Sequence, residues 1–63
     1  MHQIRAILLS VGDKIQVPGL WIESTVVSVR SYWKQSHRYV EVTLDNTGPI
    51  TLDISGMVTR VAQ

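Results

Sequence analysis

The chain has 63 residues and a formal charge of +1 from six Lys/Arg and five Asp/Glu. That length makes one domain, residues 1–63, near the lower limit at which a hydrophobic core alone sustains folding, and it leaves no second lobe to form a large substrate cleft. The absence of cysteine excludes a disulfide framework, a thiolate metal site and a cysteine nucleophile, and it suits a reducing cytoplasm.

At the start of the chain, Met1 to Leu9 holds an apolar patch too short for a signal peptide, and no run approaches the ~20 apolar residues of a membrane span. A cytoplasmic protein without a membrane partner is expected. Ile4, Ile7, Leu8 and Val11 fit helical spacing, whereas Ile4, Ala6 and Leu8 fit a strand. The lack of an N-cap and of a polar face of helical width favours a strand over 3–9. Such a strand places Ile7 and Leu9 on the face opposite Ile4, Ala6 and Leu8. Apolar on both faces, it needs cover on both, which a small fold cannot give. Ile7 and Leu9 are therefore expected at a protein interface, in a homo-oligomer or against a larger assembly.

Val11-Gly12-Asp13 forms a turn, and Ile15 and Val17 then alternate with polar residues as a half-buried strand over 14–17. Pro18-Gly19 ends it. Residues 23–29 are dense in Thr and Val, which suit a pleated surface, and a strand is expected over 24–33. Residues 38–45 alternate, with Val40, Val42 and Leu44 on one face and Tyr39, Glu41, Thr43 and Asp45 on the other. Asp45-Asn46-Thr47-Gly48 reverses the chain. Ile50, Leu52 and Ile54 then resume the buried face over 49–54, Ser55-Gly56 interrupts, and 57–61 is a last strand. The expected core contains Ile15, Val17, Val27, Val29, Val40, Val42, Leu44, Ile50, Leu52 and Ile54.

Short strands with turns at about 8–12-residue spacing define an all-β chain, a sandwich or a barrel, and a barrel best hides its edges. The order of signals is more specific: Gly12-Asp13 opening Lys14-Ile15-Gln16-Val17, a Pro18-Gly19 loop, the long strand through Thr25-Val26-Val27-Ser28-Val29, and a one-turn break at Ser55-Gly56-Met57 before Val58-Thr59-Arg60-Val61. Over residues 11–61 this resembles the small five-stranded Src-homology-3-like barrels of the Tudor and KOW type, with residues 3–10 as an extra N-terminal edge strand. Two features depart from that pattern: Glu23-Ser24 stands where KOW sequences carry a glycine, and no acidic stretch marks a peptide-binding loop. The resemblance implies a binding module for RNA, DNA or peptides, or an oligomer building block. A short stand-alone barrel also looks like the small accessory proteins of bacteria and their phages.

Arg30, Lys34 and Arg38 fall in a stretch without acids, residues 30–39, whereas residues 40–54 carry Glu41, Asp45 and Asp53 and no Lys or Arg. A molecule polar from end to end is expected. The 24–33 and 38–45 hairpin directs Arg30, Tyr32 and Tyr39 outward beside Lys34 and Arg38, with Trp33 toward the interior as support. Outward rings stack on unpaired bases and cations neutralise phosphate, so these five residues form a candidate nucleic-acid surface with little sequence preference. The plainer alternative is a set of cross-strand pairs that only stabilises the hairpin. Trp21, in the loop after Val17, either closes one end of the core or, as the resemblance to Tudor-like domains implies, contributes to a ligand cage, and with Ile7 and Leu9 it is the candidate protein contact. His2 and His37 have no carboxylate at a useful sequence spacing, and no nucleophile, metal set, phosphate loop or other cofactor motif is present. The sequence thus points to a non-enzymatic binding module without cofactor, metal or small-molecule substrate. Nucleic acid is the first candidate partner, and protein association through the N-terminal strand and Trp21 is the alternative.

Overall fold

In the computed structural model, which describes residues 2–62, six strands pair antiparallel in one sheet. They are β1 (His2–Arg5), β2 (Lys14–Gln16), β3 (Glu23–Lys34), β4 (His37–Leu44), β5 (Gly48–Asp53) and β6 (Met57–Ala62). The spatial order β1-β6-β2-β3-β4-β5 leaves the sheet open, with β1 and β5 as edges. Met1 and Gln63, the ends of the expected domain, lie outside the described residues.

The turns follow from their residues. Gly12, Gly19 and Gly48 take positive φ, which side chains disfavour and glycine adopts freely. The β3–β4 hairpin differs: its two central residues, Gln35 and Ser36, both have positive φ, 52° and 66°. That is the requirement of a type I′ turn, here met without Asn or Gly.

β3 is long enough to serve two neighbours. Glu23 to Thr25 pair with β2, and from Val26 onward the strand pairs with β4. The register then shifts, Val26 facing Leu44 and Ser28 facing Thr43, so Val27 is an extra residue in a bulge. The Gly12 N–H donates to the Val26 carbonyl at 2.9 Å and the Val26 N–H donates to the Asp13 carbonyl at 2.8 Å, which pins the bulge to the preceding turn. One extra residue exchanges the inward and outward sets. Val26 is consequently buried and Val27 is 46% exposed, the reverse of what unbroken alternation predicts.

The expected strand over 3–9 is also corrected. β1 stops at Arg5, and Ala6–Leu8 form a 3₁₀ turn. The Ala6 N–H donates to the Gly56 carbonyl at 2.9 Å and the Leu9 N–H folds back to Ala6 at 3.1 Å. Residues three apart share one side of such a turn, so Ala6 and Leu9 both enter the core. Leu8 is turned outward, and Ile7 packs half-buried on the same core. The strand apolar on both faces therefore does not form, and with it goes the reason for expecting Ile7 and Leu9 at an interface.

Ile15, Val17, Val40, Val42 and Leu44 are buried as expected, joined by Ala6, Leu9, Val26 and Val58. Val29, Ile50, Leu52 and Ile54 pack half-buried around them. The two buried polar residues are paired: the Asp13 carboxylate accepts the Ser10 N–H at 2.9 Å, and the Ser24 hydroxyl donates to Asp45 at 2.9 Å. No helix among the described residues is long and apolar enough to cross a membrane.

Candidate interaction surfaces

Antiparallel register assembles the outer face of β3, β4 and β5 from residues far apart in the chain. Arg30 lies opposite Glu41, Tyr32 opposite Tyr39, and Tyr39 opposite Asp53. The Tyr32 and Tyr39 rings are 5.8 Å apart, His37 stands 4.9 Å from Tyr39, and the Arg30 guanidinium lies 5.5 Å from the centre of the Tyr32 ring. The structure thus brings Arg30, Tyr32 and Tyr39 together as the alternation implies, with Lys34 closing the row at the turn.

The charges on this face are already matched. Arg30 donates to the Glu41 carboxylate at 2.8 Å, which also raises the pKa of the guanidinium. His37 pairs with Asp53, whose second oxygen accepts the Ser55 hydroxyl at 2.5 Å and the Ser55 N–H at 2.9 Å. These bonds, Ser55 first and His37 after it, hold the Asp53 carboxyl well below the usual carboxylate range. The expected segregation of charge is thus partly offset: Arg30 and His37 of the basic stretch pair with Glu41 and Asp53 of the acidic stretch, while no ion pair among the described residues engages Lys34, Arg38 or Asp45. No sequence spacing signals the His37–Asp53 pair, because the register of three strands creates it.

Arg38 departs from the predicted cluster. It occupies the opposite side of the hairpin, 6.0 Å from the centre of the Trp33 ring, and donates to the Ser31 hydroxyl at 3.0 Å. Trp33 has the parity of the core side but lies beyond the last core layer, and it is 69% exposed. It gives the fold little of the support expected of it.

A second surface surrounds the loop between β2 and β3. Leu20, Trp21 and Ile22 are consecutive and all exposed, Trp21 at 93%. That exposure rules out Trp21 as a closure of the core. The loop is held at its base, where the Val17 N–H donates to the Ile22 carbonyl at 2.9 Å and the Leu20 N–H to the Val17 carbonyl at 3.1 Å. The apolar side chains project from a closed turn. Beside them lies a cleft of about 350 Å³, lined by Leu20, Trp21 and Met57 and by Gln3, Gln16 and Thr59. The last three align across adjacent strands because Thr59 is in register with both Gln3 and Gln16. No charged residue lines this cleft. Sequence inspection found Trp21 but missed Leu20, Ile22 and Met57; the available signal was three successive apolar residues directly after Pro18-Gly19, where a polar loop is the norm.

Among the described residues, no three His, Asp or Glu side chains converge as a metal site. No protein-family model, no curated protein and no solved structure matches this chain.

Proposed function

We propose that the chain is a non-enzymatic binding module that docks a protein partner through the Leu20–Ile22 loop. The observation that carries this is Trp21, 93% exposed between two further exposed apolar residues. Single exposed hydrophobes are ordinary, but a contiguous group on a hydrogen-bonded loop beside a cleft is characteristic of an interaction site. Tryptophan is also the side chain most enriched among residues that dominate binding energy.

The finer fold reading, an Src-homology-3-like barrel of the Tudor or KOW type, belongs to this proposal. It is supported by the Gly12-Asp13 turn before β2, by the neighbour order β6-β2-β3-β4-β5, and by the tight turn before β6. A display library of random peptides, selected on the immobilised protein and on a Trp21→Ser variant, tests the docking function. Peptides enriched by the parent and lost on the variant are expected. Equal enrichment on both removes Trp21 from the site and defeats the proposal.

Nucleic-acid binding stands as a second reading, favoured by one observation. At the tip of the β3–β4 hairpin, exposed Trp33 lies beside Arg38 and precedes Lys34 in the chain, and no ion pair among the described residues engages either cation. This tip, rather than the Arg30, Tyr32 and Tyr39 face, offers an exposed ring with free positive charge. Fluorescence anisotropy with labelled single-stranded and duplex DNA and RNA at two salt concentrations tests it. Binding at low salt, weakened by Trp33→Ala more on single strands than on duplex, is expected; no binding at low salt ends this reading.

A further inference from the structure

The two edges of the sheet differ in what they offer another strand. Ile54 donates its N–H to the Arg38 carbonyl at 3.1 Å. In an antiparallel ladder, inward and outward backbone groups alternate, so in β5 the backbones of Pro49, Thr51 and Asp53 face away from β4. Pro49 has no N–H to offer, the usual protection of an edge. β1 has no such block. Ala6 donates to Gly56, and the register runs on through Ile4 opposite Val58 and His2 opposite Arg60. By the same alternation, the N–H and C=O groups of Gln3 and Arg5 face outward, unpaired by the sheet.

Both residues also share a face with the cleft. Gln3 and Arg5 lie opposite Thr59 and Met57, which are cleft residues, while Ile4 between them packs on the core. We propose that β1 accepts an extended segment of a partner protein as an added strand, with a carboxylate opposite Arg5 and an uncharged apolar side chain opposite Gln3 at the cleft. This identifies the occupant of the docking surface and rests on that reading.

Charge selects the occupant. β1 reads His-Gln-Ile-Arg, without an acid, and among the described residues the Arg5 guanidinium enters no ion pair and donates one long hydrogen bond, to the Ile54 carbonyl at 3.4 Å. A second copy of the chain would bring an identical cationic strand and leave both Arg5 side chains without a carboxylate across the pair. A partner strand carrying an acid supplies what is missing, its peptide groups bond to Gln3 and Arg5, and its apolar side chain meets an uncharged cleft. Added strands of this kind gain affinity from the main chain and specificity from alternate side chains.

The probes are three acetylated and amidated seven-residue peptides with threonine at positions 1, 3, 5 and 7, leucine at positions 2 and 6, and threonine, glutamate or lysine at the centre, so that the central side chain and the leucines share one face. They are titrated into the isotope-labelled full chain and followed by NMR and by amide hydrogen exchange. Slowed exchange at the Gln3 and Arg5 amides is expected, with shifts at Thr59. Affinity should rank glutamate, threonine, lysine, each step about two- to five-fold, as expected for one exposed ion pair. Gln3→Pro, which imitates Pro49 at a position whose N–H the sheet does not use, should abolish the binding while the Ile4 and Ala6 amides stay protected. Arg5→Glu should invert the ranking even if the proline variant is poorly folded.

Shifts confined to residues 18–22, with Gln3 and Arg5 exchange unchanged, would overturn the added strand and leave loop docking intact. If no peptide moves any resonance, the added strand is likewise overturned, and the library selection with Trp21→Ser alone decides the docking function.

Discussion

The two aromatic surfaces of this molecule are built to opposite rules. On the outer face of β3, β4 and β5, Tyr32 and Tyr39 lie against each other, Arg30 is held by Glu41, and His37 by Asp53. Little is left for an external partner except by breaking an internal contact. In the β2–β3 loop, Leu20 and Ile22 have backbone partners at the base, and Trp21 between them is 93% exposed. The face rich in binding-type residues is thus self-satisfied, and the loop that looked like core is available. What separates them is register: strands bring charges of opposite sign together across a sheet, whereas a closed loop has no neighbour to match.

The comparison breaks most readily at stability. Ile15, fully buried on β2, should lose about 2–5 kcal/mol on replacement by Ala, most of what so small a domain has. Trp21→Ser, in the loop that follows the same strand, should stay within about 0.5 kcal/mol. Urea denaturation of both variants checks this. A large loss at Trp21 would show that the loop is packing after all.

The hairpin face should respond at an intermediate level. Tyr39→Ala removes a ring that touches both Tyr32 and His37, and a double-mutant cycle with Tyr32→Ala should return a coupling of about 0.5–1.5 kcal/mol. Zero coupling would mean that the rings are merely adjacent and free to stack on something else.

Strand positions were legible where period-two alternation runs uninterrupted, as from Tyr39 to Leu44, because each residue there votes for the same face. Alternation fails at Val27 because the bulge depends on hydrogen bonds to Gly12 and Asp13, which no local pattern encodes. It fails again at Ala6, whose N–H makes the last bond to the neighbouring strand's end at Gly56, fifty residues away, and whose carbonyl accepts the Leu9 N–H in a turn. For the candidate sites, residue type was readable and availability was not. Arg30 and Arg38 look equivalent in sequence, yet one is neutralised by Glu41 and the other stacks on Trp33 on the opposite side.

A smaller effect, and one of opposite sign, is expected at the hairpin tip. Gln35 and Ser36 hold positive φ without the residue types that favour it. Replacing the pair by Asn-Gly should stabilise the protein by about 0.5–1 kcal/mol, since the turn geometry is kept and its strain relieved. Thermal melting reads this directly. An unchanged or lower midpoint would show that the two side chains make contacts worth more than the strain.

The smallest effect is an acid sensitivity that the hairpin face shows and the β2–β3 loop lacks. The Ser55 hydroxyl and N–H, with His37, lower the pKa of Asp53 in the folded state relative to the unfolded chain. When pH falls through the ordinary carboxylate range near about 4, the unfolded state therefore takes up a proton first. The contribution of Asp53 is complete above that range and is lost progressively below it. Melting temperature between about pH 5 and 2 should consequently fall more steeply for the parent chain than for Asp53→Asn, which has nothing to lose there. Asp45, also lowered by its bonds to Ser24 and Thr25, acts in both proteins and cancels in the difference. Residues 18–22 contain no titratable group, so Trp21→Ser should follow the parent slope. Parallel slopes for all three proteins would show that the Asp53 contacts do not persist in solution; the outer face would then be less self-satisfied than its geometry indicates, and the contrast with the loop would narrow.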